Sequence, residues 1–265
     1  MTDRVAIVTG AGRGLGRAMA LGLAAAGARV VATAARVRDE IEDTASEGRA
    51  VCGDDRIAPM VADVTREDDA QRVVAATLER YGRLDILVNN AGRGMKYVSE
   101  RFMTELTRFW EVEPAMWRLV IDTNVNGPFV MARAATPHFL AAGWGRIVNI
   151  SMNHATMRRP GFSPYGPSKA ALESETVIWA ADLRETGVTV NALLPGGATA
   201  TGMIPEGFPA TARASLLQPD IMVAPLLWLA SSAADNVTGR RFVASRWRPD
   251  DPMAAAEEAG WTRED

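Results

Sequence analysis

Cysteine, lysine and tyrosine are scarce in this 265-residue chain. A single cysteine, Cys52, excludes an internal disulfide framework and a clustered thiolate site, and no metal centre is expected. Only Lys96 and Lys169 are lysines among 29 basic residues, which draws attention to where each stands. Basic and acidic residues nearly balance at a net charge of −3, so no basic footprint points to nucleic acid. No apolar run approaches the roughly 20 residues that span a bilayer. The opening "MTDRVAIVTG" lacks the charged, apolar, small-residue order of a signal peptide, so a cytoplasmic location is expected.

What is present is an alternation of short β-branched runs with helical-period segments. Strands are predicted at 5–9, 29–33, 57–62, 86–88, 146–151, 188–193 and 241–244. Helices are predicted over stretches such as 15–26, 66–81, 115–142 and 167–185. This order predicts an α/β fold: three layers, doubly wound, with a mostly parallel Rossmann-type sheet. With no linker or repeat, residues 1–265 are expected to form one domain. In such sheets ligands bind beyond the carboxyl ends of the strands.

The first of those ends carries Gly10, Gly12, Gly14 and Gly16 in "VTGAGRGLG", before a helix that begins near Leu15. Glycines there let backbone N–H groups approach a pyrophosphate at the helix N-terminus. The spacing T-G-x-x-x-G-x-G, with Thr9, Gly10, Gly14 and Gly16, is neither G-x-G-x-x-G nor a Walker A loop. At the end of the second strand an acid would bind a ribose 2′-hydroxyl and repel a 2′-phosphate. The chain has Ala34, Ala35 and then Arg36 there, with Arg13 inside the glycine loop, which favours NADP(H) over NAD(H).

With "TGAGRGLG", "ADVT" (62–65), "NNAG" (89–92), Asn124 in "DTNVNG", "YGPSK" (165–169) and "LLPGGATAT" (193–201) in one order, the chain resembles the short-chain dehydrogenase/reductase family over about residues 4–244. The resemblance implies about seven strands, a nicotinamide cofactor, a small-molecule substrate and a homodimer or homotetramer. It implies that Asp63 and Val64 border the adenine and that Asn90, Ala91 and Gly92 support the cofactor. Pro195, Gly196 and Thr199 would close over the nicotinamide. Tyr165 is then the general acid/base, Lys169 its electrostatic partner and cofactor anchor, and Asn124 the holder of a water. A phenol with pKa near 10 needs its anion stabilised, and a lysine ammonium one helical turn away does that.

Thirteen residues before Tyr165, where the family places a hydroxyl, stands Met152. A thioether donates no hydrogen bond, and losing one positioned donor costs about two to three orders of magnitude in rate. Three explanations compete. Asn153 or His154 supplies a donor from the same loop, with Ser151 expected to face away on the strand. Alternatively, the substrate is intrinsically reactive (a ketone, diketone or quinone) and Met152 lines an apolar pocket. In the third, the chain is a silent nucleotide-binding protein. A lyase or dehydratase using Tyr165 for proton transfer is a further alternative. Met203 and Phe208, in a lid over 202–210, suggest an apolar substrate. Phe102, Met103, Phe109 and Trp110, in a long segment after the fourth strand, form either a pocket wall or a subunit-packing face. The tail beyond about 246 is expected to pack on a partner subunit or to fray.

Overall fold

A computed structural model describes residues 1–260. Its frame is one sheet, in the order β3-β2-β1-β4-β5-β6-β7-β8. The strands are β1 (Val5–Thr9), β2 (Arg29–Ala34), β3 (Ile57–Val61), β4 (Ile86–Asn89), β5 (Gly145–Ile150), β6 (Val188–Leu194), β7 (Arg240–Val243) and β8 (Ala256–Glu258). All pairs are parallel except β7 with β8. The order reverses beside β1, between β2 and β4, which is where a doubly wound sheet opens a crevice.

The central strands β1, β4, β5 and β6 are buried along their whole length and largely apolar because both faces are covered. Along β1, Ala6 and Val8 join a cluster with Met19, Leu23, Leu226 and Phe242, whereas Ile7 joins the opposite one with Val73, Leu87, Phe139 and Ile147. The first face is covered by α1 (Gly14–Ala25), with α2 (Arg38–Cys52) packed beside it. The second is covered by α3 (Glu67–Tyr81) and by a long helical run.

That run departs from the predicted continuous helix. It comprises α4 (Pro114–Ile121), a π-helical turn at Asp122–Asn126, and α5 (Gly127–Ala142). A π-turn inserts one extra residue per turn and often marks a functional position; here it carries Asn124. Then come α6 (His154–Met157) and α7 (Tyr165–Asp182), followed later by α8 (Ala210–Arg213) and α9 (Val223–Leu229).

The expected seven strands become eight. Part of the Ala/Glu-rich tail is ordered on its own chain, for β8 pairs antiparallel with β7 in the register Arg241↔Glu257. Three residues are too few for a periodicity signal, and the ion pair between Arg241 and Glu257 holds them. The last residues of the expected tail, 261–265, lie outside the described ones.

Phe139 is fully buried, and its ring occupies the space a side chain at Gly145 would need. Phe139→Ala is expected to lower unfolding free energy by about 3–5 kcal/mol. Urea denaturation followed by tryptophan fluorescence measures it.

Candidate active site

The glycine loop is fitted to its surroundings at the level of single carbons. Gly10 and Gly14 adopt φ of 64° and 55°, conformations that favour glycine. A Cβ at Gly16 would stand 2.2 Å from the Gly10 carbonyl oxygen and 2.4 Å from Asn90 Nδ2. Asn90 donates through that amide to the carbonyls of Thr9 at 2.8 Å and Gly10 at 3.0 Å. Thr9 Oγ1 in turn accepts from the backbone N–H groups of Asn90 and Ala91. The "NNAG" turn therefore braces the loop, while the side chain of Leu15 packs on the core. The result is a cradle before α1 that bare backbone can offer to a pyrophosphate, and these residues fit a dinucleotide.

Just beyond the end of β2, Arg36 is exposed. Arg13, largely exposed in the glycine loop, pairs with Glu40 at 3.3 Å. That carboxylate comes from the start of α2, a helix absent from the predicted set. Asp63 folds on itself, accepting from Thr65 N–H and Oγ1, and Val64 is buried against Gly127.

Beyond β5 and at the start of α7 the predicted catalytic residues come together. Lys169 is buried and donates to the Ile150 carbonyl at 2.7 Å. Gly92 lies between Asn124 and this ammonium: a Cβ there would be 3.3 Å from Asn124 Oδ1 and 3.8 Å from Lys169 Nζ. The Asn124 carboxamide accepts from Arg93 N–H and donates to the Arg93 carbonyl and Ser168 Oγ. It therefore ties the turn after β4 to α7. Burial lowers Lys169 to about 8, partly opposed by the Glu173 carboxylate. Burial pushes Tyr165 up to about 12. Desolvation is the cause of the rise at Tyr165, and one N–H of the Lys169 ammonium goes to Ile150.

Met152 is buried with Met95, Met157 and Phe162, and Tyr165 and Phe102 pack on this cluster. Phe102 meets Phe162 edge-on at 5.9 Å and so packs on the Met152 cluster. Phe109 and Trp110 remain exposed and border a groove of about 330 Å³ with Met157–Phe162.

All three substitute donors are already engaged. Ser151 Oγ donates to Glu173 at 2.6 Å, Asn153 Nδ2 to the Gly196 carbonyl at 2.9 Å, and His154 Nε2 lies 2.9 Å from the second Glu173 oxygen. Glu173 and its partner Arg241 were missed by sequence reasoning. The one signal was spacing, since Glu173 follows Lys169 by one helical turn.

The segment after β6 closes over this edge. Pro195 leads into Gly196 at φ 94°, whose missing side chain leaves room for Ser245. Thr199 bridges to Leu217. Further on, Thr201 abuts Gly14, and Met203 Sδ is 3.4 Å from where a side chain would begin at Gly94. Phe208 stands further along the lid, its carbonyl accepting from Arg213, which also holds the carbonyls of Pro205 and Glu206.

Known proteins are similar to this chain in sequence and fold. The sequence profile described as short chain dehydrogenase matches residues 4–210. The A-factor type gamma-butyrolactone 1'-reductase (1S-forming) of Streptomyces virginiae is 34% identical over 255 residues, covering 92% of this chain and 94% of that protein. A metagenomic short-chain oxidoreductase solved in complex with NADP superposes with a TM-score of 0.74 at 28% identity, covering 91% of this chain and 96% of that one. The 3-ketoacyl-(acyl-carrier-protein) reductase from Brucella melitensis, complexed with NADH, gives a TM-score of 0.78 at 31% identity, with 91% and 96% covered.

Gly16→Ala cannot be accommodated without moving backbone. Dinucleotide affinity is expected to fall at least about tenfold, or about 1.4 kcal/mol, in a fluorescence titration.

Proposed function

Because the chain belongs to the short-chain dehydrogenase/reductase family, and is an oxidoreductase acting on CH–OH and C=O groups, we propose that it uses NADP(H) to reduce an apolar, already electron-poor carbonyl, or to oxidise the matching alcohol. The class of substrate is a ketone, diketone or quinone. The observation that carries this reading is Met152, buried in an apolar cluster against Tyr165 while Ser151, Asn153 and His154 are bonded elsewhere.

When bound, the nicotinamide supplies the hydride. Tyr165 is protonated at neutral pH, its phenol pushed up to about 12, and so serves as the acid toward the carbonyl oxygen. Lys169, held against Ile150, keeps a positive charge one turn from the phenol and stabilises the phenolate that forms. Asn124 fixes the turn bearing Gly92 and Arg93 against α7. With no second donor on the oxygen, the substrate itself must already favour attack. Met95, Met152, Met157, Phe102 and Phe162 exclude water and favour an apolar ring or chain.

For the cofactor, the solved relatives divide between NADP and NADH. Arg36, after a β2 that ends without a carboxylate, supports NADP(H) here. Trp117, Phe129, Val177 and Ile178, exposed on α4, α5 and α7, support a homodimer or homotetramer. A lone free cysteine suits a reducing compartment such as the cytoplasm.

Two experiments test this. Tyr165→Phe should reduce kcat/KM for activated ketones by at least about a hundredfold, whereas Met152→Ser should keep that activity and extend it to unactivated ketones. NADPH oxidation against a graded ketone panel measures both, and equal rates in Tyr165→Phe and the parent would sink the mechanism. Arg36→Asp should weaken NADPH relative to NADH by about tenfold or more, read by parallel titrations of the two cofactors.

A further inference from the structure

Glu173 is a carboxylate with 1% exposure, set on α7 two turns after Tyr165 and one after Lys169. Positions i, i+4 and i+8 share one side of a helix, so the three side chains form a row at the carboxyl end of β5. Both oxygens of Glu173 are engaged. One accepts from Ser151 Oγ at 2.6 Å and Arg241 Nε at 3.1 Å, and the other meets His154 Nε2 at 2.9 Å. Arg241 is equally buried, donating to the Met152 carbonyl at 2.9 Å and to Glu257 on β8, which also meets Arg246. A burial-driven ion pair alone requires only the arginine and the carboxylate. Here the pair reaches three of the four residues in the loop after β5, and a lysine one turn away.

We propose that Glu173 is a positioning residue for the reduction described above, acting, with Arg241, through the 151–154 loop, which it holds with Met152 toward Tyr165, and through Lys169, one turn before it on the same side of α7. This rests on the reading of Tyr165 and Lys169 as the reacting pair.

The electrostatics can be followed group by group. Lys169 is faced by Tyr165 and Glu173 from its own helix, by the Ile150 carbonyl from β5, and by neutral Asn124 across Gly92. Glu173 is faced by Ser151 and His154 from the loop and by Arg241 from β7. Desolvation favours the neutral amine, and the Glu173 carboxylate opposes it. Removing that charge takes away the group that opposes desolvation, so Lys169 is pushed toward deprotonation. The loop loses its anchor at the same moment, because Ser151 and His154 no longer share an acceptor.

With two lysines in the chain, 13Cε-lysine labelling gives two resonances, and Lys96→Arg assigns them. In the parent, the Lys169 signal should titrate near about 8. In Glu173→Gln it should titrate lower, the alkaline limb of the kcat/KM profile should move down with it, and neutral-pH kcat/KM should fall about tenfold. Glu173→Asp, which keeps the charge but withdraws it by one methylene, should lie between parent and Gln. It is also the variant to use if Glu173→Gln does not fold. A Lys169 signal and alkaline limb unmoved in these variants, in a parent that turns over, overturn the role of Glu173 alone. A parent inert toward every carbonyl, whose Lys169 signal still drops in Glu173→Gln, overturns the proposed reduction and upholds the hold of Glu173 on Lys169.

Discussion

A lysine ammonium buried at the carboxyl edge of a parallel sheet is the constraint around which this edge is arranged. Burying an uncompensated cation is strongly unfavourable, so something must meet it. The Ile150 carbonyl takes one N–H at the point where β5 ends and its ladder bonds run out. Gly92 stands beside it, where a Cβ would come within 3.3 Å of Asn124 Oδ1. The π-turn sets Asn124 across that gap, and Glu173 supplies negative charge from one turn away. Strand end, glycine, helix irregularity and buried carboxylate thus follow from one charge.

The same economy of donors shapes the pocket. Every polar side chain in the 151–154 loop is consumed in holding the backbone, by Glu173 or by the Gly196 carbonyl. Met152 is the apolar member, buried in the cluster on which Tyr165 packs, and a polarisable thioether suits irregular apolar surroundings. An apolar lining of Met95, Met157, Phe102 and Phe162 follows on from it. The loop's rigidity and the pocket's lack of polar groups are two aspects of one packing solution.

Much of this was legible in the chain itself. β1 and the positions of the other long strands followed from β-branched runs, and the glycine cradle and the Tyr165–Lys169 pair followed from spacing that backbone geometry makes necessary. What escaped has physical reasons. The π-turn at Asp122–Asn126 keeps helical periodicity on both sides, so nothing in the pattern announces it. β8 is too short to read, and exists through an ion pair between residues sixteen apart. The pairing of Arg13 with Glu40 depends on how α2 approaches the glycine loop, a tertiary fact. The Glu173–Arg241 pair joins residues 68 apart, and only its spacing from Lys169 was visible.

The shortage of lysine also decides how the molecule can be handled. With Lys169 enclosed, amine-directed reagents have two destinations, the N-terminal amine and Lys96. Lys96 belongs to the helical turn Met95–Tyr97, whose first residue sits in the Met152 cluster. Reaction at Lys96 therefore falls beside the Met152 cluster, whereas reaction at the N-terminal amine falls on the other face, where Met1 packs on the core. Attachment through Cys52, at the end of α2, puts a tether on a helix that contributes nothing to the pocket wall.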